Sequence, residues 1–431
     1  MLRLFVRKLR DSSGFPIAPF KGSNSLASPV STPVICAYAR TPFGRFRGAL
    51  ANYTAVDLGT LAVKGVLQRA GIDPGSGIID QVYMGQVLQA GAGQAPARQV
   101  AMGAGLPYST PCTTVNKVCG SSLKAVMIAA TEIMAGRSNV AIAGGMESMS
   151  QAPHFIHGAR RGDEISFAEL TGILSHDGLK DAYDGTMMGI TGETIAEEAN
   201  ISRSESDQYA LRSHNLSHSA WEKGWLAEEC VSMDELDQDE GIRMDTSMEG
   251  LAVLRTVFKE DGQVTAGNAS QVSDGGSAVL IASEETANEN GWPILARIID
   301  FVTSGVEPSR VMSAPIPAIQ MLLDRNRLEI SDIDILEHNE AFAVASCAIQ
   351  AAFDFPDERF NPHGGAVSIG HPLGATGARC LMTLTNALIR TNSNRGIVTI
   401  CLGGGNAVGM LIQHKISRKY APIGGEDWPV G

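Results

Sequence analysis

Apolar positions recur at helical spacing through Leu123, Val126, Met127, Ala130, Ile133 and Met134, directly after a β-branched run at Thr113, Thr114 and Val115. Small residues separate the two patterns, so the order reads strand, tight turn, helix, with Cys119 in the turn. The same alternation extends to both sides. It predicts strands at 34–37, 81–85 and 139–144 and helices at 57–70 and 94–104, the signature of an α/β layered domain.

Between residues 152 and 273 the texture changes to Gly-rich turns, short helices predicted at 191–198 and 204–223, and a charged stretch at 234–240. Apolar periodicity persists there, which suits an inserted domain better than a linker. α/β alternation then returns. Two pieces echo each other: SNVAIAGGMES (138–148) and RGIVTICLGGGNAVGMLI (395–412) each run from a strand into glycines, and each follows a helix that opens at a small-residue turn. A duplicated half accounts for this, although strand–glycine pieces also recur by chance.

Composition narrows the picture. A chain of 431 residues suggests two or three structural units with a sizeable core. The net charge of −12, with no basic cluster interleaved with aromatics, argues against nucleic-acid binding. No uninterrupted apolar run reaches the ~18 residues of a membrane span. Cysteines 36, 112, 119, 230, 347, 380 and 401 form an odd set without CxxC or zinc spacing, pointing to a reducing compartment and no structural metal. Residues 1–31 differ from the rest: Arg3, Arg7, Lys8 and Arg10 lie among Leu2, Leu4, Phe5, Val6 and Leu9, and Asp11 is the sole acid before Asp57. That is the pattern of a mitochondrial transit peptide, with a disordered basic tail as the alternative. It leads to the expectation of a matrix location and of a compact domain starting near Pro33.

Four elements carry candidate chemistry. Cys119 sits at a helix start, where unpaired N–H groups and the helix dipole favour a thiolate, and thiol pKa values there fall to ~3.5–7.5. An inert packed thiol is the competing reading. His371 lies in GHPLG, a turn whose glycines allow close backbone approach, as suits a base. Cys401 precedes Gly403, Gly404 and Gly405, whose N–H groups are free to face an oxyanion. Asn339 in HNEAFA has an amide that either holds a water or caps the next helix.

Together these elements resemble the thiolases over roughly residues 33–417, through NKVCGSSLKA, GGMESMS, VTAGNAS, NEAFA, GGAVSIGHPLGATGAR and CLGGGNAVG in the family's order. The resemblance implies an α/β fold of two duplicated mixed-sheet halves in a layered arrangement, with an inserted loop domain. The expected segments are 32–151 with 274–294, the insertion 152–273, and 295–417 after the presumed leader 1–31. It further implies that Cys119 carries the acyl group, His371 activates it and Cys401 is the second acid/base. Asn339 would hold a water in one oxyanion hole, and the N–H groups of Cys119 and Gly403 would form the other. By the same likeness Arg243 and Phe258 fall at the adenosine-phosphate end of coenzyme A (CoA), and Leu179, Ser270, Ala341 and Phe342 along the pantetheine tunnel. CoA would be substrate and product with no other cofactor, the partners acyl-CoA and CoA, and the assembly a homodimer or homotetramer, with residues 159–166 at a tetramerisation hairpin.

The activity so implied is that of an acetyl-CoA C-acetyltransferase. A broader 3-ketoacyl-CoA thiolase is the runner-up, and a non-catalytic lipid-binding scaffold the alternative outside enzymes. Met187 stands where acetoacetyl-CoA thiolases commonly have His, which weakens short-chain specificity, while Tyr183 in DGLKDAYDG favours it. His214 replaces the Tyr of potassium-dependent members, so no metal site is expected. A β-ketoacyl synthase would use two His rather than CLGGG.

Overall fold

The computed structural model describes residues 31–159 and 170–414. Residues 160–166 of the predicted hairpin and nearly all of the presumed leader lie outside them. Nine longer strands and the short pair Gly44–Arg45 form one ten-stranded sheet. In chain order the longer strands are β1 (Pro33–Arg40), β2 (Gln81–Gly85), β3 (Cys112–Val115), β4 (Val140–Ser148), β5 (Ser273–Ser283), β6 (Ala296–Gly305), β7 (Ile335–His338), β8 (Arg395–Leu402) and β9 (Asn406–Gln413).

Across the sheet they lie β7-β8-β9-β6-β1-β5-β4-β2-β3. From the centre outward, the first half reads β1, β5, β4, β2, β3 and the second β6, β9, β8, β7, ending in a parallel bridge from Leu336 to Phe360 where a counterpart of β3 belongs. In both halves the innermost pairings are antiparallel and the next is parallel, and the halves join through antiparallel β1 and β6. The duplication is therefore one of topology, and the fold is α/β with two mixed-sheet halves.

One detail corrects the sequence reading. β4 does not end at its double glycine but runs through Gly144 and Gly145 to Ser148. In the second half β8 and β9 are joined by a tight turn at Gly403–Gly405. In the first, the chain leaves the sheet after Ser148 and returns at Ser273, so the inserted segment occupies the place of that turn.

Helices α1 (Ala55–Arg69), α2 (Pro96–Gly103), α3 (Ser121–Met134), α4 (Met188–Ala199), α5 (Arg203–Glu222), α6 (Pro315–Asn326), α7 (Ala343–Ala352) and α8 (Thr376–Arg390) pack on this frame. Capping boxes at Thr54/Asp57 and Ser202/Glu205 start α1 and α5, each satisfying two otherwise orphaned N–H groups. α3 and α8 are the counterpart helices of the two halves. Their apolar residues share one core with inner positions of both half-sheets, and α8 is buried from Thr376 to Leu388. A helix enclosed on all sides is expected between layers. Its buried Arg379 pairs with Glu337 of β7 at 2.8 Å. Arg40 of β1 likewise pairs with Glu229 and, through both terminal nitrogens, with Asp239 of the insertion. Such pairs fix registration more than they stabilise, since desolvation offsets most of their attraction.

Candidate active site

β3 leads into a turn at Lys117–Gly120 before α3 starts at Ser121. Val118 in this turn has φ 46°, a left-handed conformation that a β-branched residue adopts only under strain. The turn is held from both sides. Asn116 Oδ1 accepts the Val118 N–H at 3.1 Å; Ser121 Oγ accepts the Lys117 N–H at 2.8 Å and donates to the Val118 carbonyl at 2.6 Å. At Gly120 a side chain would strike Leu402 and Val408, so the turn presses directly on the second half. Cys119 is thereby presented toward residues from the other half of the chain.

The expected acidic thiol is not found. Burial pushes Cys119 up to about 12; the N–H groups of Cys119 and Gly403 oppose this and the Glu147 carboxylate adds to it. Cys119 lies ahead of the helix cap, and desolvation of the thiolate outweighs what the helix start contributes. The resting thiol is neutral and needs a base.

His371 supplies one. It is buried, and burial followed by the Arg379 charge lowers it to about 3, so the imidazole is neutral. Its tautomer follows from one hydroxyl. Thr376 Oγ1 donates its single proton to the Pro372 carbonyl at 2.9 Å and therefore accepts from His371 Nδ1–H at 2.6 Å. Nε2 is left with its lone pair, toward which the Asn339 amide donates at 3.4 Å. The other Asn339 side-chain atom, Oδ1, is buried with no protein partner, as a water-holding amide requires.

Cys401 ends the constellation. Burial first, then the nearby Cys119 sulfur, raise its pKa, and its thiol donates to Met312 Sδ at 3.8 Å. Cys119, His371, Cys401 and Gly403 line one cleft of ≈ 420 Å³ together with Leu179, Ser270, Ala341 and Phe342. Arg243 lines a neighbouring hollow of ≈ 600 Å³ with Ser247 and Gln271, the residue that follows Ser270. His214, lowered to about 4 by burial and Arg243, accepts the Arg243 backbone N–H at 3.1 Å. Phe258 does not join Arg243. Its ring meets Phe342 edge-on at 6.3 Å between centroids and covers Gly189, behind the cleft wall, because the apolar ring finds its partners there.

Sequence reasoning missed Thr376, Val118 and Met312, and assigned no role to Glu147. Thr376 had a readable signal, its place five residues after His371 within the same motif. Among the described residues no group of three or more His, Cys, Asp or Glu is arranged to hold a metal ion, and no helix is long and apolar enough to cross a membrane.

Comparison with known proteins places the chain in a family. The family model for the thiolase N-terminal domain matches residues 33–285, and that for the C-terminal domain matches residues 292–414. A Rhizobium meliloti protein named acetyl-CoA acetyltransferase is 42% identical over 388 residues, 88% of this chain and 98% of that protein. An Escherichia coli protein named probable acetyl-CoA acetyltransferase has the same identity and coverage. A Staphylococcus aureus protein named probable acetyl-CoA acyltransferase is 40% identical over 388 residues, again 88% of this chain and 98% of that protein. The mitochondrial location expected from residues 1–31 does not stand, because these similar proteins are bacterial, from cells without that compartment. With both family models matched in order over most of its length, the chain belongs to the thiolase family.

Proposed function

We propose that the protein is an acetyl-CoA C-acetyltransferase, joining two acetyl-CoA into acetoacetyl-CoA and CoA and catalysing the reverse thiolysis. The observation that carries this is the meeting of two thiols, a neutral imidazole with an unprotonated Nε2 and a glycine N–H in one cleft.

His371 Nε2 takes the Cys119 proton as the sulfur attacks the acetyl carbonyl. The N–H groups of Cys119 and Gly403 hold the tetrahedral oxyanion; loss of one such donor typically costs about 10²–10³ in rate. CoA leaves as its thiolate and is protonated by Cys401. The Cys401 thiolate so formed removes an α-proton from the second acetyl-CoA. The enolate oxygen is stabilised by the His371 imidazolium and the water on Asn339. The enolate carbon attacks the acetyl-enzyme, and the released Cys119 sulfur recovers its proton from His371. The Cys119 proton returns from His371, and the proton that Cys401 gives to CoA is replaced by the α-proton of the second acetyl-CoA, so each protein group ends in its starting protonation state and the proton transfers require no resident cofactor.

A broader 3-ketoacyl-CoA thiolase is the second reading, favoured by Met187 and by the acyltransferase name of the S. aureus relative. The half-exposed edge strand β3 supports a homo-oligomer, since unpaired edges are normally covered.

The deciding experiment is thiolysis of acetoacetyl-CoA beside 3-ketooctanoyl-CoA and 3-ketohexadecanoyl-CoA, with EDTA-dialysed protein whose mass is measured by light scattering. Activity confined to acetoacetyl-CoA is expected. Equal or greater activity on longer chains would move the protein to fatty-acid breakdown, and none at all would sink both readings.

A further inference from the structure

Among the described residues, Glu147 is the one buried acid that touches both halves at the catalytic cleft. It lies on β4 with no exposed surface, and no cation among the described residues pairs with it. Its Oε1 accepts the Leu88 N–H at 3.1 Å, and its Oε2 accepts the Val87 N–H at 3.0 Å and the Gly374 N–H at 2.9 Å. Val87 and Leu88 follow β2 in the first half; Gly374 closes the His371-Pro372-Leu373 turn of the second. Val87, Leu88 and Leu373 form one apolar cluster against which Cys119 and Leu179 pack. The carboxylate therefore lies directly behind the wall of the cleft, and its charge reaches the Cys119 sulfur.

We propose that Glu147 is a positioning residue for this reaction: it fastens the His371 turn to the Cys119 half and holds a negative charge behind the nucleophile. That charge disfavours a free thiolate, so that Cys119 loses its proton as His371 receives it. A carboxylate is suited to the clamp because it alone offers acceptors on both oxygens to three backbone donors. Burial raises Glu147 to about 7 even so, with Asp274 of β5 adding to the effect. Lys117, two residues before the nucleophile, turns its ammonium to Asn406 Oδ1 at 3.3 Å and is opposed by the Lys124 charge, and on the other side of the cleft the Arg379 charge acts on His371. The inference rests on Cys119 being the nucleophile.

The test is iodoacetamide alkylation of Cys119, mapped by mass spectrometry, as a function of pH in wild type, Glu147→Gln and Glu147→Asp. At pH ~8.5 Glu147→Gln should alkylate about tenfold faster, the equivalent of one pK unit of lost like-charge repulsion. At pH ~6, where the wild-type carboxyl is protonated, the two rates should converge. Thiolysis kcat should fall about tenfold in Glu147→Gln, because its amide nitrogen faces an N–H it cannot accept. Glu147→Asp keeps the charge but shortens the reach, so it should lose kcat while alkylating like wild type. A rate ratio independent of pH, or Glu147→Asp alkylating like Glu147→Gln, would overturn the proposal. So would loss of cooperative folding in both variants, which would make Glu147 a residue of folding alone. Failure of acetyl-CoA to acylate wild-type Cys119 would instead overturn the nucleophile assignment.

Discussion

A histidine works as a base only if its lone pair faces the acid, and at His371 the Thr376 hydroxyl decides which nitrogen that is. Thr376→Val keeps the shape and removes the acceptor, so the imidazole is no longer held as the Nδ1–H tautomer. We expect thiolysis kcat to fall about tenfold, the kinetic equivalent of one ordinary hydrogen bond, with KM for CoA little changed. Thr376→Ser should restore the rate; if Val and Ser variants lose it equally, the hydroxyl is not what orients the ring. At this scale much was legible in the sequence. Cys119 and His371 stand in turns beside glycines, and Cys401 lies at the end of a strand just ahead of Gly403–Gly405, where reactive groups are recognisable by type and spacing. What the sequence hides is the environment. The turn predicts an acidic thiol at Cys119, yet burial raises it, because desolvation depends on residues far away in the chain that pack against it, such as Leu373. The left-handed Val118 was hidden for a related reason: nothing in a valine announces positive φ.

The strands and helices that bear these residues meet with little clearance where β4 crosses beneath the His371 turn. A Cβ on Gly145 would overlap the Gly374 carbonyl and lie 2.8 Å from Ser122 Cβ, both backbone-anchored. Gly145→Ala should therefore destabilise the fold by about 3 kcal/mol, the cost of overpacking a tight interior site. It should also slow acylation by displacing His371. Gly75→Ala, where the added carbon lies 3.7 Å from Asp73 at the surface, is the control and should leave the thermal midpoint nearly unchanged. Equal midpoints for the two variants would show that the crossing is looser than drawn. The elements themselves were readable: β2 has the predicted ends, and α1, α4 and α5 differ from their predicted ranges by three residues or fewer. β4 was cut short because Gly144 and Gly145 look like a turn. They are instead strand residues made small by what crosses them, a reason that exists only in three dimensions.

The whole molecule carries buried ionisable groups of opposite tendency, and their balance sets its stability across pH. Burial lowers His214 and His363 to about 4, and His338 and His371 to about 3, from an ordinary 6.5. Between those values and 6.5 the unfolded chain binds protons that the folded one refuses, so stability rises with pH through this window. Glu147 and Glu337 are raised by burial to about 7 and about 8, the latter despite Arg379. From their ordinary 4.5 up to those values the folded chain binds the extra protons, and stability falls as pH rises. Below 6.5 these two acids, with Glu229 and Asp274 raised in the same direction by burial, offset part of what the four histidines contribute. Above 6.5 the histidines contribute no further change and the acids alone remain; from about pH 9 the raised thiols, buried Cys36 and half-buried Cys347 among them at about 12, extend the decline. The thermal midpoint should therefore peak near pH 6.5 and be lower at both pH ~5 and pH ~8.5. Calorimetry at constant ionic strength checks this. A midpoint rising steadily from pH ~5 to ~8.5 would mean that the buried acids are ionised throughout, their partners and backbone donors having overcome burial.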